Sequence, residues 1–126
     1  MQVLLTIAQM LVRICGVLLL ILGLLIWAEG MTNLIGIHML LGVILVISLI
    51  VLGVIALLRK GPPGMAVGLI ILALIVGWFG VAQTTILPGP NHWIVQIVHL
   101  LLGLTAVGMA EMLGGVLRRA SLAPAT

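Results

Sequence analysis

Apolar residues fill four long runs along the chain, separated by short segments that are polar or rich in glycine and proline. The runs cover residues 5–28, 34–58, 64–83 and 93–117. An α-helix needs roughly 20 apolar residues to cross about 30 Å of hydrocarbon, and each run meets that length. The pattern predicts an all-α chain with four membrane spans. Because the runs use nearly all of residues 1–126, it also predicts a single transmembrane domain.

Glycine and proline mark two of the connections between these runs. Residues 61–64 read GPPG, and residues 87–91 read LPGPN. Both sequences are typical helix breakers. Connections this short make neighbouring helices antiparallel, so the chain is expected to form an up-down-up-down four-helix bundle. Asn33 and Asn91 precede the second and fourth runs and are candidate N-caps.

The composition excludes a soluble domain with a polar shell. Hydrophobic residues make up 64% of the chain, charged residues make up 6%, and the mean hydropathy is +1.53. These values predict an integral membrane protein surrounded by lipid. The formal net charge of +3 does not indicate a nucleic-acid partner, because the few basic residues are explained by the orientation of the chain in the membrane. Aromatic residues, on which bases would stack, are only 3% of the chain.

The basic residues predict the orientation in the membrane. Two basic pairs, at residues 59–60 and 118–119, follow the second and fourth runs. The opposite connections, residues 28–33 and 83–91, contain no lysine or arginine. Because positively charged loops stay in the cytoplasm, both termini are expected to be cytoplasmic. The expected location is a bacterial cytoplasmic membrane.

A five-residue pattern, H-x-L-L-G, occurs at residues 38–42 and again at residues 99–103. His38 lies 21 residues before Arg59, and His99 lies 19 residues before Arg118. At about 1.5 Å per residue, the two depths differ by only about 3 Å. Helices two and four would lie diagonally across a square bundle, roughly 11–14 Å apart. Histidine inside a membrane is by default a candidate functional residue.

A haem iron is the partner that best suits this pair. Neutral imidazole binds iron well, and bundle cores hold cofactors between facing helices. Gly42 and Gly103, one turn beyond each histidine, would leave room for a flat macrocycle. A bare metal ion is less well served, because no carboxylate or thiolate lies at that level. His92 would either bond a haem propionate or lie in the wet interface.

Four membrane helices with the His38/His99 pair, each histidine followed by a small residue, resemble the bis-histidine b-type membrane cytochromes. Examples are the cytochrome b561 group and the membrane subunits of respiratory oxidoreductases. The resemblance implies haem b and an electron-transfer protein rather than an enzyme in its own right. The single matched pair and the predicted topology limit this to one haem toward the non-cytoplasmic face. The resemblance also implies a subunit of a larger respiratory or photosynthetic complex. Those groups commonly carry two haems, whereas this chain has one matched pair.

Arg13 and Glu111 are charged residues well inside the first and fourth runs. Both fall in the half of the bundle nearer the basic pairs. Because charges in a membrane usually pair, the sequence predicts an ion pair between them. The alternatives for Glu111 are a protonated carboxyl group or a role in a proton or quinone site.

Two other functions remain open at this point. In the first, the histidines only bond helices together in a cofactor-free structural subunit that assembles with other membrane subunits or with itself. The second is a transporter similar to the small multidrug resistance family, with Glu111 as its coupling carboxylate. Those transporters carry that carboxylate in the first helix, where this chain has Arg13. Motifs for hydrolysis or phosphoryl transfer are absent from the sequence.

Overall fold

The computed structural model describes residues 1–122, which are mostly α-helical. Each of the four helices in these residues is long and apolar enough to span a membrane, as expected for an integral membrane protein. The helices are α1 (Gln2–Glu29), α2 (Ile35–Leu58), α3 (Pro63–Ala82) and α4 (His92–Leu122), with a 3₁₀ turn at Thr32–Leu34. The four predicted runs are confirmed as helices, and α4 continues five residues past the predicted end.

Local sequence explains where the helices begin and end. The C-cap of α1 is Gly30, with the left-handed φ of 66° that glycine tolerates best. Pro63 occupies the first turn of α3, where its missing N–H costs nothing. The expectation that Asn33 caps α2 is wrong. It lies inside the 3₁₀ turn, which runs directly into α2 and leaves Leu34 at the cap position without a side-chain bond.

Contacts at glycines are consistent with antiparallel neighbouring helices. A β-carbon at Gly53, near the end of α2, would lie 2.6 Å from Cγ1 of Ile70, near the start of α3. A β-carbon at Gly16, midway along α1, would lie 3.2 Å from Cγ2 of Val107 on α4. Close approach at small residues is typical of membrane helices. Together with the short connections, these contacts give the up-down-up-down arrangement, whereas its orientation across a membrane stays a prediction.

The bundle is not square in cross-section. Over the described residues, α2 and α4 approach to Cα distances within 8 Å, whereas α1 and α3 do not. The diagonal separation expected for α2 and α4 was therefore too large. Small buried side chains on α4, Ala106 and Ala110, leave room in a core that also holds Leu49 and Leu52 of α2. The two histidine-bearing helices are thus direct neighbours.

The two ends of the bundle differ in composition. We call the end with residues 59–60 and 118–119 the basic end, and the other the histidine end. Three tryptophans, Trp27, Trp78 and Trp93, are exposed on helix segments near the histidine end. Tryptophan is enriched where a membrane meets water. Their positions fit a membrane boundary at the histidine end.

Candidate cofactor site at the histidine end

The structure brings His38 of α2 and His99 of α4 together. Their ring centroids lie 6.4 Å apart, and the ring planes are tilted by 54°. For two imidazoles that bind one metal ion from opposite sides, metal–nitrogen bonds of about 2 Å place the ring centres about 6 Å apart. The rings therefore already have the separation that one shared ion requires, without the helix splaying that a square bundle would need.

Each of these rings has a nitrogen that lacks a partner. The Nδ1 atoms of His38 and His99 are buried and form no hydrogen bond. A buried polar atom without a partner costs about 1–3 kcal/mol, so native structures rarely leave two side by side. The pair is therefore a polar site inside an apolar bundle whose bonding capacity the described side chains do not use.

Glycines on the preceding helices let both histidines approach. A β-carbon at Gly23 of α1 would lie 3.3 Å from Cε1 of His38, and one at Gly80 of α3 would lie 3.4 Å from Cε1 of His99. Each hairpin therefore packs its histidine against a glycine of its first helix. Sequence reasoning missed both glycines. Both glycines lie near the ends of the first and third runs. Their contact with the histidines can be recognised only once it is known how the helices pack.

Phe79 forms a further wall of the site. Its ring is stacked on that of His99, with centroids 5.9 Å apart and planes within 9° of parallel. Phe79 is the one phenylalanine of the chain. The stacked ring limits the directions in which the His99 imidazole can turn. This residue was also missed by the sequence reasoning, because aromatic residues near a span end are usually membrane anchors.

Gly42 and Gly103 face open space. A β-carbon added to either would meet no other part of the protein within 4 Å. Both lie one turn past a histidine and are only partly buried. Their packing within the chain therefore does not require glycine, and room for a macrocycle beside each histidine stays a prediction.

The chemistry of the donor set limits what the site can hold. Within residues 1–122, no cluster of three or more histidine, cysteine, aspartate or glutamate side chains is placed to bind a metal ion. Two imidazoles alone leave most of the coordination sphere of a metal ion unfilled. A group that brings its own in-plane ligands, such as a macrocycle, fits this donor set better than a bare ion.

His92 lies apart from the ring pair, at the first position of α4. Its Nδ1 is 3.3 Å from the backbone carbonyl oxygen of Ile86, in the connection between α3 and α4. The contact ties this connection to the start of α4. A bond to a haem propionate remains a prediction for His92, and it would use the other ring nitrogen.

Arg13 and Glu111 are also brought together, on α1 and α4. The Nε of Arg13 donates to Oε1 of Glu111 at 2.9 Å, and its Nη2 donates to Oε2 at 2.7 Å. This is the bidentate geometry of a strong charge-assisted pair. The pair lies toward the outside of the bundle, with side chains 52% and 35% exposed. It joins the first and last helices in the half nearer the basic end.

Comparison with known proteins finds no matching family model, no matching curated protein and no matching solved structure. The function is therefore argued from the geometry of the two histidines and their surroundings.

Proposed function

We propose that this chain is a small b-type cytochrome that holds one haem between His38 and His99. The observation that carries the proposal is the close ring pair, with centroids 6.4 Å apart and an unpartnered buried Nδ1 on each ring. Open space at Gly42 and Gly103 supports it, because a flat macrocycle needs room against both helices. Imidazole is a common axial ligand of haem iron.

The chain's own residues hold and orient the group. His38 and His99 would be the two axial ligands, and Gly23, Gly80 and Phe79 pack against their rings. Apolar helices around the site exclude water. A bound haem would supply one-electron redox chemistry, whose potential depends on ligation and burial. The protein would therefore position the haem and set its environment without making or breaking bonds in a substrate. This is the role of an electron carrier.

The site lies at one end of the bundle, which limits how electrons could move. With the basic end in the cytoplasm of a bacterium, as positively charged loops favour, the haem lies toward the non-cytoplasmic face. A single haem at one end of the bundle does not carry electrons across about 30 Å of hydrocarbon by itself. Electron exchange with a neighbouring subunit of a respiratory or photosynthetic complex, or with a membrane quinone, then completes the path.

The two other candidate functions receive less support. Both carboxylate oxygens of Glu111 accept bonds from Arg13, which does not favour a proton-coupling carboxylate in a transporter. A cofactor-free structural subunit accounts for the apolar helices, but gives no reason for two unpartnered ring nitrogens at one place.

A difference spectrum tests the proposal. The full chain is expressed in haem-replete cells, purified in mild detergent, and measured as reduced-minus-oxidised absorbance, with haem quantified against protein. We expect b-type bands and one haem per chain. A colourless protein, or two haems per chain, contradicts the proposal.

A further inference from the structure

A groove at the basic end has the features of a binding site that is separate from the histidines. It has a volume of about 290 Å³ and lies between the α2–α3 connection and the end of α4. Its walls combine basic, hydroxyl and small apolar side chains. The lining residues are Arg59, Lys60, Gly61, Val116, Leu117, Ala120 and Ser121.

Backbone geometry builds the mouth of this groove. Lys60 has a positive φ of 54°, and the N–H of Gly61 donates to the carbonyl oxygen of Ala56 at 2.8 Å. A β-carbon at Gly61 would lie 2.9 Å from Cδ2 of Leu117, so the connection lies flat against α4. The turn leaves the side chain of Lys60 exposed at the mouth rather than packed into the bundle.

The lining of this groove within residues 1–122 contains two basic side chains and no carboxylate side chain. Arg59 donates from Nη1 to the amide oxygen of Gln2 at 3.3 Å, and this partner is neutral. Among residues 1–122 the carboxylate side chains are Glu29, on the last turn of α1 at the histidine end, and Glu111, whose oxygens both accept from Arg13. An anion is therefore a ligand that suits Arg59 and Lys60 by charge.

A second groove lies between α3 and α4 and adjoins the first. It has a volume of about 300 Å³ and shares Val116 with the basic groove. Its other lining residues are Met65, Glu111, Met112, Gly115 and Arg119. The methionines make it flexible and largely apolar. The cationic groove thus adjoins a largely apolar one, in which Glu111 and Arg119 are the charged lining residues.

We propose that these two grooves bind one anionic phospholipid. Lys60 and Arg59 would hold its phosphate, and an acyl chain would lie along Met65 and Met112. Basic pockets between membrane helices are suited to anionic head groups, and each basic side chain near such a surface adds about fivefold to the affinity. A free anion would fit only the first groove, because it has no apolar part to bind in the second groove.

The test uses the full chain in a zwitterionic detergent, with native mass spectrometry to count bound dioleoyl phosphatidylglycerol and dioleoyl phosphatidylcholine. Lys60→Gln removes one charge at the groove mouth. Arg118→Gln is the matched control, because it removes the same charge from the same end but does not line either groove. A parallel arm offers inorganic phosphate and glycerol phosphate in place of the lipid.

We expect the anionic lipid to be retained and the zwitterionic lipid to be lost on mild activation. Lys60→Gln should weaken retention of the anionic lipid about fivefold, with Arg118→Gln close to the unmodified chain. Equal retention of the two lipids, equal losses in both variants, or binding of glycerol phosphate as tight as that of the lipid would each overturn the proposal. These outcomes do not depend on whether haem is bound.

Discussion

The side-chain amide of Gln9 on α1 lies directly against Gly114 on α4, in the space that a β-carbon at residue 114 would occupy. Gln9 is only 1% exposed, and its Oε1 has no hydrogen-bond partner. Glycine at residue 114 therefore sets how closely the first and last helices can pack. One turn toward the histidine end, the Arg13–Glu111 ion pair joins the same two helices.

Gly114→Ala should lower the stability of the bundle by about 1–3 kcal/mol, because the added methyl group overfills a packed contact. Thermal unfolding in detergent measures the effect. Gly115→Ala is the control, since a β-carbon there meets nothing within 4 Å. Adding Gln9→Ala to Gly114→Ala should recover most of the loss. If the double variant is as unstable as the sum of the single ones, the two residues are not coupled in this way.

Removal of one member of the Arg13–Glu111 pair should cost more than removal of both. Arg13→Gln leaves a carboxylate without its counter-charge at membrane depth, whereas Arg13→Gln with Glu111→Gln leaves two neutral amides. Melting temperatures of the single and double variants in lipid nanodiscs measure the coupling. Glu29→Gln is the control, because Glu29 is exposed on the last turn of α1. Additive losses would show that the contact contributes nothing.

His38→Ala and His99→Ala should each abolish the b-type absorption bands, because one imidazole alone leaves the iron without its second axial ligand. Far-ultraviolet circular dichroism should show that both variants remain helical. His92→Ala is the matched control. Its ring contacts the carbonyl of Ile86 rather than the pair. Even the predicted bond to a haem propionate would leave both axial ligands in place, so the bands should be retained. Bands that survive both ring-pair variants would place the haem elsewhere.

Gly103→Leu should prevent haem binding while leaving the protein folded. Nothing in the protein lies within 4 Å of a β-carbon at residue 103, so we expect a leucine there to be tolerated in the absence of haem. The same side chain would occupy space that the bound macrocycle needs. Gly108→Leu is the control on the same helix, at an exposed position that is equally open. Haem content and thermal stability are measured for both variants. Equal haem content in the two would mean that the space beside His99 is not used.

Hydropathy was enough to predict the four helices, their connections and their antiparallel order. In a membrane every backbone polar group must be satisfied within the structure, so long apolar runs have few alternatives to helices. The rotation of each helix about its axis was harder to predict, because lipid-facing and core-facing residues are equally apolar. This is why Arg13 and Glu111 could be paired from charge alone, whereas Gly23, Gly80 and Phe79 could not be assigned to the histidines.

The direct contact between α2 and α4 has a consequence for biosynthesis. Each of the two helices belongs to a different hairpin, and the first hairpin leaves the ribosome before the second is complete. His38 is therefore synthesised before its partner ring, and His99 follows within the second hairpin. The pair exists only after the hairpins have docked along α2 and α4. A chain arrested between these steps would have His38 without His99 beside it. Contact between the two rings therefore indicates that both hairpins have docked.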